Sequence, residues 1–322
     1  MDLLTPRTLR TSRGFTYSYY VKVAVAKPTL LFLHGFPETA QLWAAQAKHF
    51  VALGYGVIIP DCLGYGGSSK PTQTEAYNSQ GVAGDIIEIL DAEKVDKVVP
   101  VGHDWGSYLA GRIYFWHPDR VLGVAFLSVP FNPAREVTLQ GLVRGMQERL
   151  GYNVFAYWEF LTADDAGSKI ETNLKSFFTA LFMKCDDTFK STWCETGKLR
   201  SYVERGEIQP TKDFADSQFE KQFISAFQEG GFTGPLQSYH AVIGNNHYNH
   251  EKELSASRFQ ITKPSIYVGG SKDSLSPPGG ANGMRSLVED LRIEVLDSSH
   301  WLVREQPSEL NRVLESWIKE KI

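Results

Sequence analysis

Short β-branched and apolar runs alternate with helical periodicities through the first third of this 322-residue chain, and that alternation constrains its fold more than any other feature. Thr29 to Phe36 reads as a buried strand and Leu42 to Val51 as a helix. Val57 to Pro60 and Ser79 to Asp91 repeat the pair, as do Val95 to Val101 and Tyr108 to Trp116, before a further strand at Val121 to Val129. This spacing leaves room for helical crossovers, so the strands should pair in parallel with helices on both faces of the sheet. Phe15 to Val25 alternates more like an antiparallel edge hairpin.

The pattern breaks after Pro130. The 88 residues from Tyr152 to Tyr239 hold 17 of the chain's 40 aromatic residues, and their periodicity is helical. Leu174, Phe177, Phe178, Leu181 and Phe182 form one stripe; Phe219, Phe223, Ile224 and Phe227 form another, opened by Asp216 and closed at Gly230-Gly231. Core packing accounts for any single Phe there, while the segment as a whole is a small helical unit. Strand character returns at Ser265 to Val268 and Ile293 to Leu296, and a last helix runs from Ser308 to Lys319. The expected organisation is an α/β core, residues 1–131 and 256–322, interrupted by a helical insertion over 132–255. Clefts between such units are favoured ligand sites.

Composition removes several function classes. Thirty-three basic residues against 37 acidic ones leave a net charge of −4, with no basic field for nucleic acid or anionic lipid. The longest strongly apolar stretch, Val121 to Phe131, falls far short of the ~20 residues a membrane helix needs. Cys62, Cys185 and Cys194 are too few and too scattered for a disulfide framework or a zinc site. The start, Met1-Asp2-Leu3-Leu4-Thr5-Pro6, lacks the pattern of a signal peptide. The expectation is a cytoplasmic protein with no metal, no cofactor, no nucleic-acid partner and no membrane association.

The strongest local signal is Gly102-His103-Asp104-Trp105-Gly106, between the apolar run Val98 to Val101 and a helical pattern. It has the strand–turn–helix context of a nucleophile elbow, with aspartate where serine usually stands. The plain alternative is an aspartate capping the next helix. An aspartate nucleophile restricts the chemistry. A serine that attacked an alkyl carbon would form an ether that water does not open, whereas a carboxylate forms a hydrolysable ester. The electrophile should therefore be a saturated carbon with a leaving group, such as an epoxide or an alkyl halide.

The second step needs a base and an acid to orient it, in the order nucleophile, acid, histidine. Asp273 follows the strand Ile266 to Val268, and His300 follows the strand ending at Leu296. His300 can take a proton from water while Asp273 fixes its tautomer. Leu33-His34-Gly35-Phe36-Pro37 ends the first core strand, where the Phe36 N–H can meet the Trp105 N–H as an oxyanion hole. His34 and His103 read as structural hydrogen-bonders. Glu38 and Asp61 are rival acids in early loops, and Gly64 to Ser68 is a tight core turn rather than a phosphate loop. His247 and His250 are expected in a solvated loop, with no third metal ligand evident.

Taken together, these residues resemble the soluble epoxide hydrolases of the α/β-hydrolase fold from about Gly14 to Trp317. His34-Gly35-Phe36-Pro37, Gly64 to Ser68, Gly102 to Gly106, Lys272-Asp273 and His300-Trp301 all match. The resemblance implies a hydrolase with a helical cap domain, a small apolar epoxide substrate and two cap tyrosines that hydrogen-bond the epoxide oxygen. Phe232 to Tyr239 is similar to the family's F-x-G-P-L-N-W-Y segment, so Tyr239 is one of them. Val154-Phe155-Ala156-Tyr157 selects Tyr157 as the other, with Tyr152 its rival in register. The alternative is a haloalkane or haloacid dehalogenase with the same nucleophile. Haloalkane enzymes often carry Asn where Phe36 stands, and haloacetate enzymes typically carry Arg in place of Trp105. A binding protein without turnover would have no use for Asp104, Asp273 and His300 together, and no Gly-x-Ser-x-Gly elbow is present for a serine esterase.

Overall fold

In a computed structural model, which describes residues 1–24 and 26–322, the apolar runs become strands of one eight-stranded sheet. In chain order the strands are Thr5–Arg10 (β1), Thr16–Lys22 (β2), Thr29–Leu33 (β3), Gly56–Pro60 (β4), Val98–His103 (β5), Val124–Leu127 (β6), Ser265–Gly270 (β7) and Leu291–Leu296 (β8). Their spatial order is β1-β2-β4-β3-β5-β6-β7-β8. β2 runs antiparallel to β1 and β4, and the other neighbours pair in parallel. β3, β4, β5, β6 and β7 are buried along their whole length, as strands covered on both faces must be. One face carries the helices Ser79–Ala92 and Trp105–Trp116, and the other carries Ala44–Ala52 and Pro307–Lys321, each over its own apolar cluster.

Two details differ from the sequence reading. The antiparallel strand within Phe15 to Val25 is not the edge; β1 lies outside it, in a register from Thr5 opposite Val21 to Arg10 opposite Thr16. β1 is exposed at nearly every position, so no apolar alternation announces it. Val25 lies outside the described residues. The first core strand also stops at Leu33 rather than Phe36, because His34 to Pro37 turn away across the top of the sheet.

Between β6 and β7 the chain leaves the sheet for a run of helices from Leu139–Leu150 to Asn246–Glu251. Both aromatic stripes lie on helices there, Leu174–Leu181 and Ser217–Gly230, and they face each other with Phe178 5.3 Å from Phe223 and 5.5 Å from Phe219 between ring centroids. Asp216 starts the second helix by accepting the Gln218 and Phe219 N–H groups at 2.9 and 2.8 Å, and Gly231 ends it at φ +69°.

A buried clasp holds this insertion to the sheet. Arg112, on the helix behind β5, grips Glu251 through Nε and Nη2 at 3.1 Å each and donates Nη1 to the Asn132 carbonyl at 2.7 Å. Glu251 also accepts from the Ser79 hydroxyl at 2.7 Å and the Ala134 N–H at 3.3 Å. The segments entering and leaving the insertion are thereby fastened to the core and to each other. Cutting one partner leaves a buried charge without compensation. Glu251→Leu should therefore cost about 3–5 kcal/mol in urea unfolding, and Arg112→Met with Glu251→Leu should recover most of it. A double variant no more stable than the single one would contradict a role confined to charge pairing.

Candidate active site

Four parallel strands end at one edge of the sheet and deliver four functional groups to one place, the carboxyl edge where open α/β sheets bind ligands. β3 leads to Phe36, β5 to Asp104, β7 to Asp273 and β8 to His300. At Asp104 the chain turns from strand to helix in no space. A Cβ on Gly102 would strike the backbone of Gly106, and one on Gly106 would strike the Leu33 carbonyl. Asp104 takes up the turn with φ 55° and ψ −121°, a conformation that costs a non-glycine residue about 1–3 kcal/mol. Its side chain makes no cap bond to the helix it precedes, so the plain capping role does not describe it.

The carboxylate instead faces the other groups. Asp104 Oδ1 accepts the Phe36 N–H at 2.8 Å, while Oδ2 lies 3.6 Å from His300 Nε2. On the far side of the ring, His300 Nδ1–H donates to Asp273 Oδ2 at 2.8 Å. Asp273 is oriented in turn by the Leu275 and Ser276 N–H groups, both 2.9 Å from its Oδ1. The Trp105 N–H, at the first position of the helix, has no protein acceptor among the described residues.

Burial opposes charge on both groups, and their pairing overcomes it. The His300 imidazole and the Phe36 N–H hold Asp104 below the ordinary carboxyl value despite desolvation. The Asp273 and Asp104 carboxylates raise His300 to about 10 against the same penalty. The two other histidines are committed elsewhere. His34 bonds the Gly35 carbonyl through Nδ1 and accepts the Cys62 N–H on Nε2. His103 Nε2–H donates to the His300 carbonyl at 2.8 Å, and burial lowers its pKa to about 4. Neither rival acid is free: Glu38 is clamped by Arg304, with both contacts at 2.7 Å, and Asp61 accepts the Ala40 and Gly67 N–H groups.

A cavity at Asp104 and His300 is lined by Phe36, Tyr157, Tyr239, Leu181, Phe189, Trp193 and Leu275. Tyr239 is wedged edge-on against Phe36 and Trp105, both with centroids at 5.1 Å, and Tyr157 against Trp193 at 5.1 Å. The two tyrosine rings are 6.0 Å apart. Neither phenol has a carboxylate or carbonyl acceptor among the described residues. Both are raised well above the ordinary tyrosine value, first by burial and further by the nearby Asp104 charge, so both remain protonated. Tyr152 lies elsewhere: its hydroxyl donates to the Ser274 carbonyl at 3.1 Å, and Lys190 sits over its ring.

Some site residues gave no signal in the sequence. Phe189, Trp193 and Leu275 enter the cavity from a cap helix and a loop whose patterns look like ordinary packing; only the position of Leu275, two residues after Asp273, hinted at proximity. His247 is buried rather than solvated, with 7% of its surface exposed, because the helix Asn246–Glu251 folds it against Tyr108. Among the described residues no group of three His, Cys, Asp or Glu is placed to hold a metal ion, and no helix is long and apolar enough to cross a membrane.

Residues 28–307 match the family model described as the alpha/beta hydrolase fold. The chain is 27% identical over 299 residues to bifunctional epoxide hydrolase 2 of Rattus norvegicus, an alignment covering 92% of this chain and 52% of that protein. It thus spans about half the length of that relative. It is 28% identical over 305 residues to epoxide hydrolase A of Mycobacterium tuberculosis, covering 89% of each. The crystal structure of epoxide hydrolase A from Mycobacterium thermoresistibile superposes with a TM-score of 0.82 at 26% identity, over 99% of both chains.

The electrostatics of the site have a measurable consequence. Neutralising Asp104 as Asn removes one of the two negative charges that keep the imidazolium, so His300 should release its proton at lower pH than in the native protein. NMR titration of the His300 ring checks this, and an unmoved midpoint would show that Asp104 is not coupled to it.

Proposed function

The chain belongs to the α/β-hydrolase fold family, and within it we propose that it is an epoxide hydrolase, converting an epoxide and water to a vicinal diol through an ester on Asp104. One observation carries this reading: a single cavity holds a paired carboxylate and imidazole together with two protonated phenols that have no carboxylate or carbonyl to serve. Opening an epoxide creates an alkoxide whose charge must be met as it forms, and preorganised phenols supply hydrogen bonds for it. A departing halide needs no proton.

Oδ1 of Asp104 is engaged by the Phe36 amide, which leaves Oδ2 as the attacking atom. Attack forms the C–Oδ2 bond and breaks the ring C–O bond, with Tyr157 and Tyr239 bonded to the freed oxygen. Esterification removes the Asp104 charge, and with it part of what kept His300 protonated. One proton leaves His300 and one reaches the alkoxide. Neutral His300, held by Asp273, then takes a proton from water, and the resulting hydroxide adds to the ester carbonyl. Oδ1 carries the developing charge among the Phe36 and Trp105 amides. Collapse releases the diol and restores the Asp104 carboxylate beside a protonated His300.

In this scheme the insertion, residues 132–255, acts as a cap that brings both tyrosines over the nucleophile and keeps bulk water from the ester. The substrate is a small apolar epoxide, no metal or cofactor takes part, and the setting is cytoplasmic, in keeping with three unpaired cysteines.

Mass spectrometry of two variants with styrene oxide tests the scheme. Asp104→Ala should form no adduct and lose activity by more than about a thousandfold, whereas His300→Gln should accumulate the ester. The native protein should hydrolyse styrene oxide and leave 1-chlorobutane intact. Normal turnover by both variants, or a preference for the chloroalkane, would overturn the assignment.

A further inference from the structure

The two edges of the sheet are not alike. β1, at one end, carries Arg7 and Arg10 and no acid, so a second copy laid along it would meet like charge. β8, at the other, carries one residue of each sign, Arg292 and Glu294, set between Leu291, Ile293 and Val295. Its only strand neighbour among the described residues is β7, and Val295 is 49% exposed.

The ladder to β7 decides which backbone groups of β8 point outward. The register runs from Ser265 opposite Leu291 to Gly270 opposite Leu296. At its two ends the Ser265 N–H donates to the Asp290 carbonyl at 2.8 Å and the Ser271 N–H to the Leu296 carbonyl at 2.9 Å. Neighbouring residues of an extended strand send their N–H and C=O groups to opposite sides. Arg292 and Glu294, in phase with Asp290 and Leu296, therefore serve β7. Leu291, Ile293 and Val295 send theirs away from it, where none has a hydrogen-bond partner among the described residues. The side chains alternate between the two faces in step. Arg292 donates to Glu294 at 2.8 Å and lies 3.4 Å from Ser316 of the last helix, while Leu291 and Ile293 pack against the apolar cluster on the opposite face.

These positions are self-complementary about Ile293. An antiparallel copy of β8 related by a two-fold axis at Ile293 sets that residue opposite itself, Leu291 opposite Val295 and Arg292 opposite Glu294. The outward-facing residues then make the hydrogen-bonded pairs of the new ladder. Arg292 and Glu294 make the pairs between them, where facing side chains come closest, and opposite charges meet. Other registers lose one of these matches. An axis between two residues sets outward groups against inward ones, and an axis at Arg292 or at Glu294 sets that charge against its own copy.

We propose that β8 is the interface of a homodimer, two copies of this chain joined edge to edge about Ile293 into one continuous sheet. β8, which leads to His300, then becomes an interior strand of both copies.

Sedimentation equilibrium and amide exchange of the full chain test this. The native protein should approach twice the chain mass as its concentration rises, and the Leu291, Ile293 and Val295 amides should exchange with deuterium more slowly over the same range. Ile293→Pro removes an outward N–H from each copy without touching the β7 ladder, and should weaken association by about tenfold or more. Arg292→Glu and Glu294→Arg should each weaken it comparably by setting like charges opposite one another. An equimolar mixture of these two variants should associate again, because each strand now meets the opposite charge. Each variant keeps its own repulsion between positions 292 and 294, so the recovery does not come from repaired folding. A native protein that stays monomeric overturns the proposal. So does a dimer whose β8 amides exchange freely, a pair of charge variants that associate as the native protein does, or a mixture that fails to recover.

Discussion

His300 lies 2.8 Å from Asp273 and 3.6 Å from Asp104, and these three side chains are nearly closed to solvent, Asp104 retaining the most exposure. Little water screens either carboxylate, so each acts on the imidazole far more strongly than a surface acid would. The arrangement is asymmetric in a way that suits two-step chemistry. Asp273 is fixed by two backbone amides, whereas Asp104, in the proposed scheme, loses its charge when it bonds to substrate. In that scheme the event that creates the ester makes His300 a better base for opening it.

Much of the fold serves to hold that contact. The parallel order β3-β5-β6-β7-β8 brings the ends of distant chain segments to one edge. The close approach of Gly102, Gly106 and Leu33 forces Asp104 up into the cavity. His103 fastens the His300 backbone carbonyl, which Ser128 also approaches at 3.2 Å. Trp301, next in the chain, donates its indole N–H to the Leu181 carbonyl at 2.9 Å, so the loop bearing His300 is tied directly to the helical insertion. The Arg112–Glu251 clasp anchors the insertion at its roots. The positions of His300, Asp104 and the two phenols are therefore set by one connected network.

The core was legible in the sequence because buried parallel strands and their crossovers leave continuous apolar runs, and because the elbow demands glycines at fixed offsets. The outermost strand was not, since β1 is exposed and carries no periodic signal. The Asp273 and His300 positions followed from their order after strands. The choice between Tyr152 and Tyr157 could not be made from register; in the structure Tyr157 faces the cavity and Tyr152 spends its hydroxyl on Ser274. His247 and the Arg112–Glu251 pair were invisible for a common reason. Burial of a polar residue depends on what a remote segment brings to it, and neither spacing nor composition encodes that.

A single turnover in ¹⁸O-labelled water, with enzyme in excess over styrene oxide, tests the covalent step most directly. If Asp104 Oδ2 becomes the ester oxygen, the first diol carries only ordinary oxygen, and the label appears in the Asp104 carboxylate of the recovered protein. A first diol already bearing ¹⁸O, with unlabelled Asp104, would mean that water attacks the ring directly and that no ester forms.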